Sequence, residues 1–263
     1  MDFLAHINPF YSVAGLLVGV LVGLTGVGGG SLMTPLLVLL FGFHPSTAVG
    51  TDLLFASATK TVGSGVHGWR GSVDWRIVRR LAMGSVPAAL VTLIVMGRAG
   101  QPSPAFERGI TLTLGLTLIC TAIAMLLRKR IVAAAYRRFG PSGPQHRVLE
   151  TVVLGALLGV LVSISSVGAG AIGVTALLVL YPRLPVSRIV GSDIAHAVPL
   201  TLVAGIGHWL IGTVDFGLLA ALLIGSVPGI ILGSLIGSRA PDGVLQPLLA
   251  AVLTLVGVKL LLS

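Results

Sequence analysis

Runs without one charged side chain, such as residues 81–96 and 112–127, recur from end to end of this chain, and they restrict its folds severely. About 20 apolar residues carry a helix across a bilayer. Only 10% of the residues are charged and the mean hydropathy is +1.03, whereas a soluble domain carries about a quarter charged residues. The sequence therefore predicts an all-α polytopic membrane protein whose first partner is the lipid bilayer. The net charge of +9 would suggest nucleic acid in a soluble protein. Here it reads as a topology signal, with no nucleic-acid partner, because Lys and Arg collect in cytoplasmic loops. The one cysteine, Cys120, lies in an apolar run and excludes an intrachain disulfide and a CxxC site. The first apolar segment has no basic region before it and is expected to be a retained helix rather than a signal peptide.

The chain contains a duplication. "VGTDLLFA" (49–56) is answered by "VGSDIAHA" (190–197), "HGWRGSVDW" (67–75) by "HWLIGTVDF" (208–216), and "MGSVPAAL" (83–90) by "IGSVPGII" (224–231), all at an offset of 141. Upstream, "VGVLVGLTGVGGG" (18–30) is answered by "LGVLVSISSVGAG" (158–170) at an offset of 140. A nearly constant offset that carries Gly, Asp, His and Pro together marks an internal repeat. Each half reads as five apolar segments, at about 10–25, 31–43, 47–66, 76–97 and 106–127, then 148–164, 171–181, 187–210, 215–237 and 244–262. The expected organisation is a first transmembrane repeat over 1–127, a basic cytoplasmic linker over 128–147 and a second repeat over 148–263.

Five segments per half make the halves enter the membrane from opposite sides, and the charges test this. With the linker placed inside, thirteen of the 17 Lys and Arg fall in inner loops; Arg98, Arg108 and Lys259 fall outside, and Lys60 lies within a segment. That agrees with the positive-inside rule. The inversion survives if the first two segments of a half form a re-entrant hairpin, and both termini are then expected outside. Inverted repeats are a recurrent build of secondary transporters, with the substrate site at the midplane near short or Gly-interrupted segments.

Such segments occur at matching places in both halves. Residues 32–43 and 171–181 would reach roughly 16–18 Å as helices, about half of the ~30 Å hydrocarbon core, and each follows a glycine-rich stretch. A broken helix at membrane depth exposes backbone N–H groups at a positive dipole end, which suits an anion. The candidate substrate-binding residues are Thr25, Gly28, Gly29, Gly30 and Ser31 in one half and Ser165, Ser166, Gly168 and Gly170 in the other, with Ser163 and Thr34 as further hydroxyl donors. The competing reading is that these glycines only let helices pack closely. "GVGGGS" is neither a P-loop nor G-x-G-x-x-G.

"GLLVGVLVGLTGVGGGSLMTPLLVL", "AVGTDLL", "HGWRGSVDW" and "GSVPAAL", with their echoes "GSDIAHA", "GHWLIGTVDF" and "GSVPGIILGSLIG", resemble the sulfite exporter TauE/SafE family of membrane transporters. The resemblance covers nearly the whole chain outside the linker. It implies a carrier for small anions, among them sulfite, thiosulfate, sulfonates and sulfoacetate. The second cluster, Ser165-Ser166-Val167-Gly168-Ala169-Gly170, departs from the glycine run of the first.

Ionisable residues inside membrane segments are costly and commonly functional. Asp52, Lys60 and His67 share one helical face in the third segment, and Asp193, His196 and His208 lie in the eighth. Asp52 and Asp193 each follow Gly-Ser/Thr and read either as helix N-caps or as coupling residues. Lys60 either pairs with Asp52 or meets the anion. His67 and His208 lie at segment ends, where interface contact competes with a transport role; His196 is the better placed proton relay. Asp74 and Asp215 read as turn residues, and Pro87 and Pro228 as helix kinks.

The reading that emerges is a secondary transporter moving small anions by alternating access, with proton coupling as a hypothesis; an anion channel of the same architecture is the alternative. There is no HExxH, no CxxC and no ATP-binding motif, so no enzymatic activity, no cofactor and no metal are expected, and a homo-oligomer is compatible with the chain.

Overall fold

A computed structural model describes residues 9–25, 30–69, 72–98, 103–139, 147–236 and 242–262. They form ten helices and, among the described residues, no strand. The first half gives α1 (Pro9–Thr25), α2 (Gly30–Leu39), α3 (Pro45–Trp69), α4 (Trp75–Arg98) and α5 (Pro104–Phe139). The second gives α6 (Val148–Ser165), α7 (Ala171–Leu180), α8 (Val186–Ile211), α9 (Phe216–Ile236) and α10 (Asp242–Leu262). Proline opens α1, α3 and α5, where its missing N–H has no helical partner to lose. By length and hydropathy α4, α5, α6, α8 and α9 each could cross a membrane. Their outward faces carry exposed Leu90, Ile94, Leu116, Leu157, Ile224 and Ile231, the apolar surface that lipid rather than water would cover.

One boundary differs clearly from the sequence reading. The segment expected to stop at 127 continues as helix through the basic stretch to Phe139. Lys, Arg and Ala are good helix formers, and no Gly or Pro interrupts the chain before Gly140.

Both short helices return to the end from which their hairpin entered. Tyr181, just past α7, places its hydroxyl 2.6 Å from Thr151 Oγ1 in the first turn of α6. In the other half, Tyr11 in the first turn of α1 stacks edge-on to Phe41 just past α2, with ring centroids 5.0 Å apart. The hairpins α1–α2 and α6–α7 are therefore re-entrant, and they open at opposite ends of the molecule. Arg80 Nη1 donates to Tyr181 across 3.2 Å, which puts the start of α4 with the α6–α7 opening. Glu107, in the first turn of α5, accepts from the Ser46 N–H at 3.0 Å and from its hydroxyl, which puts the starts of α3 and α5 together at the far end.

The repeats are interleaved. Helix α1 packs most extensively on α9, α6 on α4, α2 touches α10, and α7 lies on α5, so each hairpin is embedded in the other repeat. Glycines make this close approach possible. A Cβ at Gly15 or Gly19 would strike the carbonyl groups of Leu222 or Ser226 in α9, and one at Gly155 or Gly159 those of Leu81 or Ser85 in α4. Without a hydrophobic force between helices in lipid, such backbone proximity is a main source of association. The third helices, α3 and α8, cross at the centre, and the fifth, α5 and α10, meet with Gly115 against Gly257.

Candidate functional site

The G-[ST]-D tripeptides sit in α3 and α8, and each of their three residues has a separate task. Gly50 lets the turn of the opposite repeat approach, since a Cβ there would lie 2.7 Å from the Thr213 carbonyl oxygen; Gly191 does the same against Ser72. The next residue ties that turn down. Thr51 Oγ1 accepts the Asp215 N–H at 3.1 Å, and Ser192 Oγ accepts the Asp74 N–H at 2.8 Å. Asp74 and Asp215 in turn accept from the backbone at the starts of α4 and α9, at 3.0 Å from Arg76 N and 2.9 Å from Leu218 N. The third residue, the aspartate, points the other way, to the middle of the protein.

Neither Asp52 nor Asp193 caps its own helix. Helix α3 begins at Pro45 and α8 at Val186, so both carboxylates lie about two turns inside, and the N-cap reading is corrected. They reach instead to the half-helices beside them. The Thr34 hydroxyl, on α2, donates to Asp52 Oδ2 at 2.5 Å, and the Thr34 N–H faces the same carboxylate. The Gly170 N–H, at the N-terminus of α7, serves Asp193, and the Asp193 carboxylate covers Gly173, where a Cβ would collide with Oδ1. Each half-helix therefore has a carboxylate near its N-terminal, positive end, as helix dipoles favour.

The break between α6 and α7 is fully described. Ser166 takes a left-handed conformation (φ 57°), and Gly168 and Gly170 have φ of 126° and 123°, values that the lack of a Cβ makes accessible. The Ser165 hydroxyl is engaged within its own turn, donating to the Leu161 carbonyl at 2.7 Å. Ser166 turns its hydroxyl to Asp52 without reaching hydrogen-bond geometry. The second break thus faces both aspartates, Asp52 through Ser166 and Asp193 through Gly170.

Lys60 is 6% exposed on α3, and the charges it faces are Asp193 and Asp52, with neither closing to an ion pair. Its equivalent at the repeat offset is Thr201, whose hydroxyl donates to the Ala197 carbonyl at 2.8 Å. His196 is fully buried, its Nε2 2.8 Å from Ser85 Oγ, and its equivalent is Phe55. The cation and the imidazole thus each have no counterpart in the other repeat. Asp52 Oδ1, Asp193 Oδ1, Ser163 Oγ, Ser166 Oγ and His196 Nδ1 are buried without a hydrogen-bond partner. Most buried polar atoms in a folded protein are paired; of the residues named here, Asp52 and Ser166 face one another.

His208 is held at both nitrogens, Nε2 donating to the Ser163 carbonyl at 2.9 Å and Nδ1 lying 2.8 Å from Thr213 Oγ1, which ties α8 to α6 across the interior. Gly28 and Gly29 lie outside the described residues. For Thr25, Gly30, Ser31 and His67 only their helical backbone is described: Thr25 closes α1, Gly30 and Ser31 open α2, and His67 lies near the end of α3. The sequence reading missed Ser85 and the cross-repeat work of Thr51 and Ser192. The repeat alignment carried the signal, since Ser85 recurs as Ser226 and Thr51 as Ser192.

The family model described as sulfite exporter TauE/SafE matches residues 11–260. A probable membrane transporter protein of Bacillus subtilis, YjnA, is 38% identical over 256 residues, covering 94% of this chain and 97% of that protein. A probable membrane transporter protein of Xylella fastidiosa is 29% identical over 233 residues, covering 86% and 83%. MJ0441 of Methanocaldococcus jannaschii, also named a probable membrane transporter protein, is 23% identical over 271 residues, covering 97% and 95%. No solved structure matches the chain.

Proposed function

Because the chain belongs to the sulfite exporter TauE/SafE family and is a membrane transporter, we propose that it moves small anions across the cytoplasmic membrane by alternating access, coupled to protons. Sulfite, thiosulfate, sulfonates and related organosulfur anions are the proposed substrates, and the basic end of the molecule is proposed to face the cytoplasm. The observation that carries this reading is the buried Lys60 facing two carboxylates without pairing to either.

Charge balance supplies the mechanism. One ammonium against two carboxylates leaves one net negative charge, and two helix N-termini contribute roughly half a positive charge each, so the centre by itself is close to neutral. A monoanion entering alone would unbalance it, which a low-dielectric interior strongly penalises. A proton arriving with a monoanion on Asp52 or Asp193 restores the balance, and a dianion such as thiosulfate requires one on each. Each such proton weakens its carboxylate's hold on the Thr34 hydroxyl or the Gly170 N–H, freeing that donor for the oxyanion. Lys60, which has no counterpart in the other repeat, supplies the fixed positive charge.

Thiosulfate flux into proteoliposomes tests this. Flux should rise when the loaded side is the more acidic, and Lys60→Met should lower it at least tenfold while the protein remains folded. Wild-type flux in the Lys60→Met variant would remove the substrate role of Lys60, and indifference to the pH gradient would remove proton coupling.

A further inference from the structure

Helix α5 is 36 residues long, roughly 54 Å, well beyond the ~30 Å hydrocarbon core. Its overhanging end is not left loose in solvent. The Tyr136 hydroxyl donates to the Pro182 carbonyl at 2.6 Å, which fixes the extension to the connection between α7 and α8. Between these elements and α10 lies a cavity of about 900 Å³, lined by Arg128, Lys129, Val132, Ala133, Tyr136, Arg137, Leu178, Val186 and Gln246.

The composition of that cavity is two-sided. Three cationic side chains line it and, among the described residues, no carboxylate does. Its remaining wall is chiefly apolar, from Val132 and Ala133 of α5, Leu178 of α7 and Val186 of α8. A basic cluster in the last turns of a helix is often explained by the helix dipole alone. That account does not supply a cavity, nor an apolar wall next to the charges. In a bilayer that covers the apolar portion of α5, this position would fall at the level of the phosphate groups.

We propose that this cavity is a binding site for an anionic phospholipid, with the phosphate held by Lys129 and Arg137 beside Arg128 and the glycerol and upper acyl carbons resting on Val132, Leu178 and Val186. Basic pockets between transmembrane helices take acidic headgroups by this combination of charge and apolar contact. The bound lipid would join α5 of one repeat to α8 and α10 of the other at the end where the interleaved halves meet water. The site is separate from the aspartate–lysine centre and does not depend on the nature of the transported anion.

Mass spectrometry of the intact protein in detergent, titrated with dioleoylphosphatidylglycerol or dioleoylphosphatidylcholine, measures the effect directly. The glycerol lipid is expected to bind at least tenfold more tightly than the choline lipid. Lys129→Gln with Arg137→Gln, both at exposed positions, should weaken the glycerol lipid roughly thirty-fold and leave the choline lipid unchanged. Arg137→Lys should retain most of the affinity. Arg76→Gln with Arg79→Gln removes equal charge from the same end but outside the cavity, and should change affinity less than threefold. Equal affinity for the two lipids would overturn the proposal. So would equal losses in the two double variants, which would indicate diffuse attraction, or displacement of the lipid by millimolar inorganic phosphate, which would indicate a site for the free anion.

Discussion

Replacing Gly155 by alanine tests the interleaving of the repeats at one methyl group. The added Cβ would lie 2.9 Å from the Leu81 carbonyl carbon and 3.0 Å from its Cα, with the carbonyl oxygen nearer still. Ordinary contact begins at 3.4 Å, so α6 and α4 must separate by at least half an ångström. All three obstructing atoms are backbone, and no rotamer change relieves them. A radial gap of that size forfeits a quarter or more of each dispersion contact along the seam, and overpacking of this kind costs about 1–3 kcal/mol. Gly109→Ala is the matched control: that glycine, in α5, has nothing within 4 Å of its would-be Cβ, and alanine in a helix interior gains roughly 0.5–1 kcal/mol over glycine. Thermal unfolding in detergent should therefore separate the two, with Gly155→Ala melting several degrees below wild type and Gly109→Ala at or above it. Equal melting temperatures for Gly155→Ala and wild type would refute the claim that the α4–α6 seam depends on backbone contact.

Thr51→Val and Ser192→Ala each remove the hydroxyl that receives a backbone N–H of the opposite repeat, and each should cost about 1–3 kcal/mol by the same unfolding assay. Ser85→Ala and Ser226→Ala should differ despite their equivalence in the repeat. The first strips His196 Nε2 of its partner and should destabilise by about 1–3 kcal/mol. The second removes a buried hydroxyl that has no partner and should leave the melting temperature unchanged or raised.

Much of the helical order was legible because membrane segments announce themselves by composition. Residues 76–97 and 187–210 were read from the sequence, and the structure has Trp75–Arg98 and Val186–Ile211. Re-entrance was not decidable that way, since a half-helix and a crossing helix carry the same apolar residues; it took the Tyr181–Thr151 and Tyr11–Phe41 contacts to show it. The aspartates were singled out by type and repetition. The sequence left them open between helix N-caps and coupling residues because a Gly-Ser/Thr-Asp string resembles a helix start; Pro45 and Val186 open those helices two turns earlier, which removes the N-cap alternative. The four-residue spacing of Gly15 and Gly19, or Gly155 and Gly159, was visible but named no partner. Which helix a glycine admits is decided by the whole arrangement, not by its neighbours in sequence.

Interleaving also imposes an order on biosynthesis. Ser12 in α1 donates to the Ala221 carbonyl in α9 at 2.9 Å, across 209 residues of chain. At typical rates of translation about 10–40 s separate the synthesis of these two positions. During that interval the first re-entrant hairpin has entered, or is waiting beside, a membrane in which its seat does not yet exist. Its glycine face at Gly15 and Gly19 is exposed to lipid, with no opposing repeat to cover it. A nascent chain halted before α9 is therefore expected to be a substrate for membrane quality control rather than a stable half-transporter.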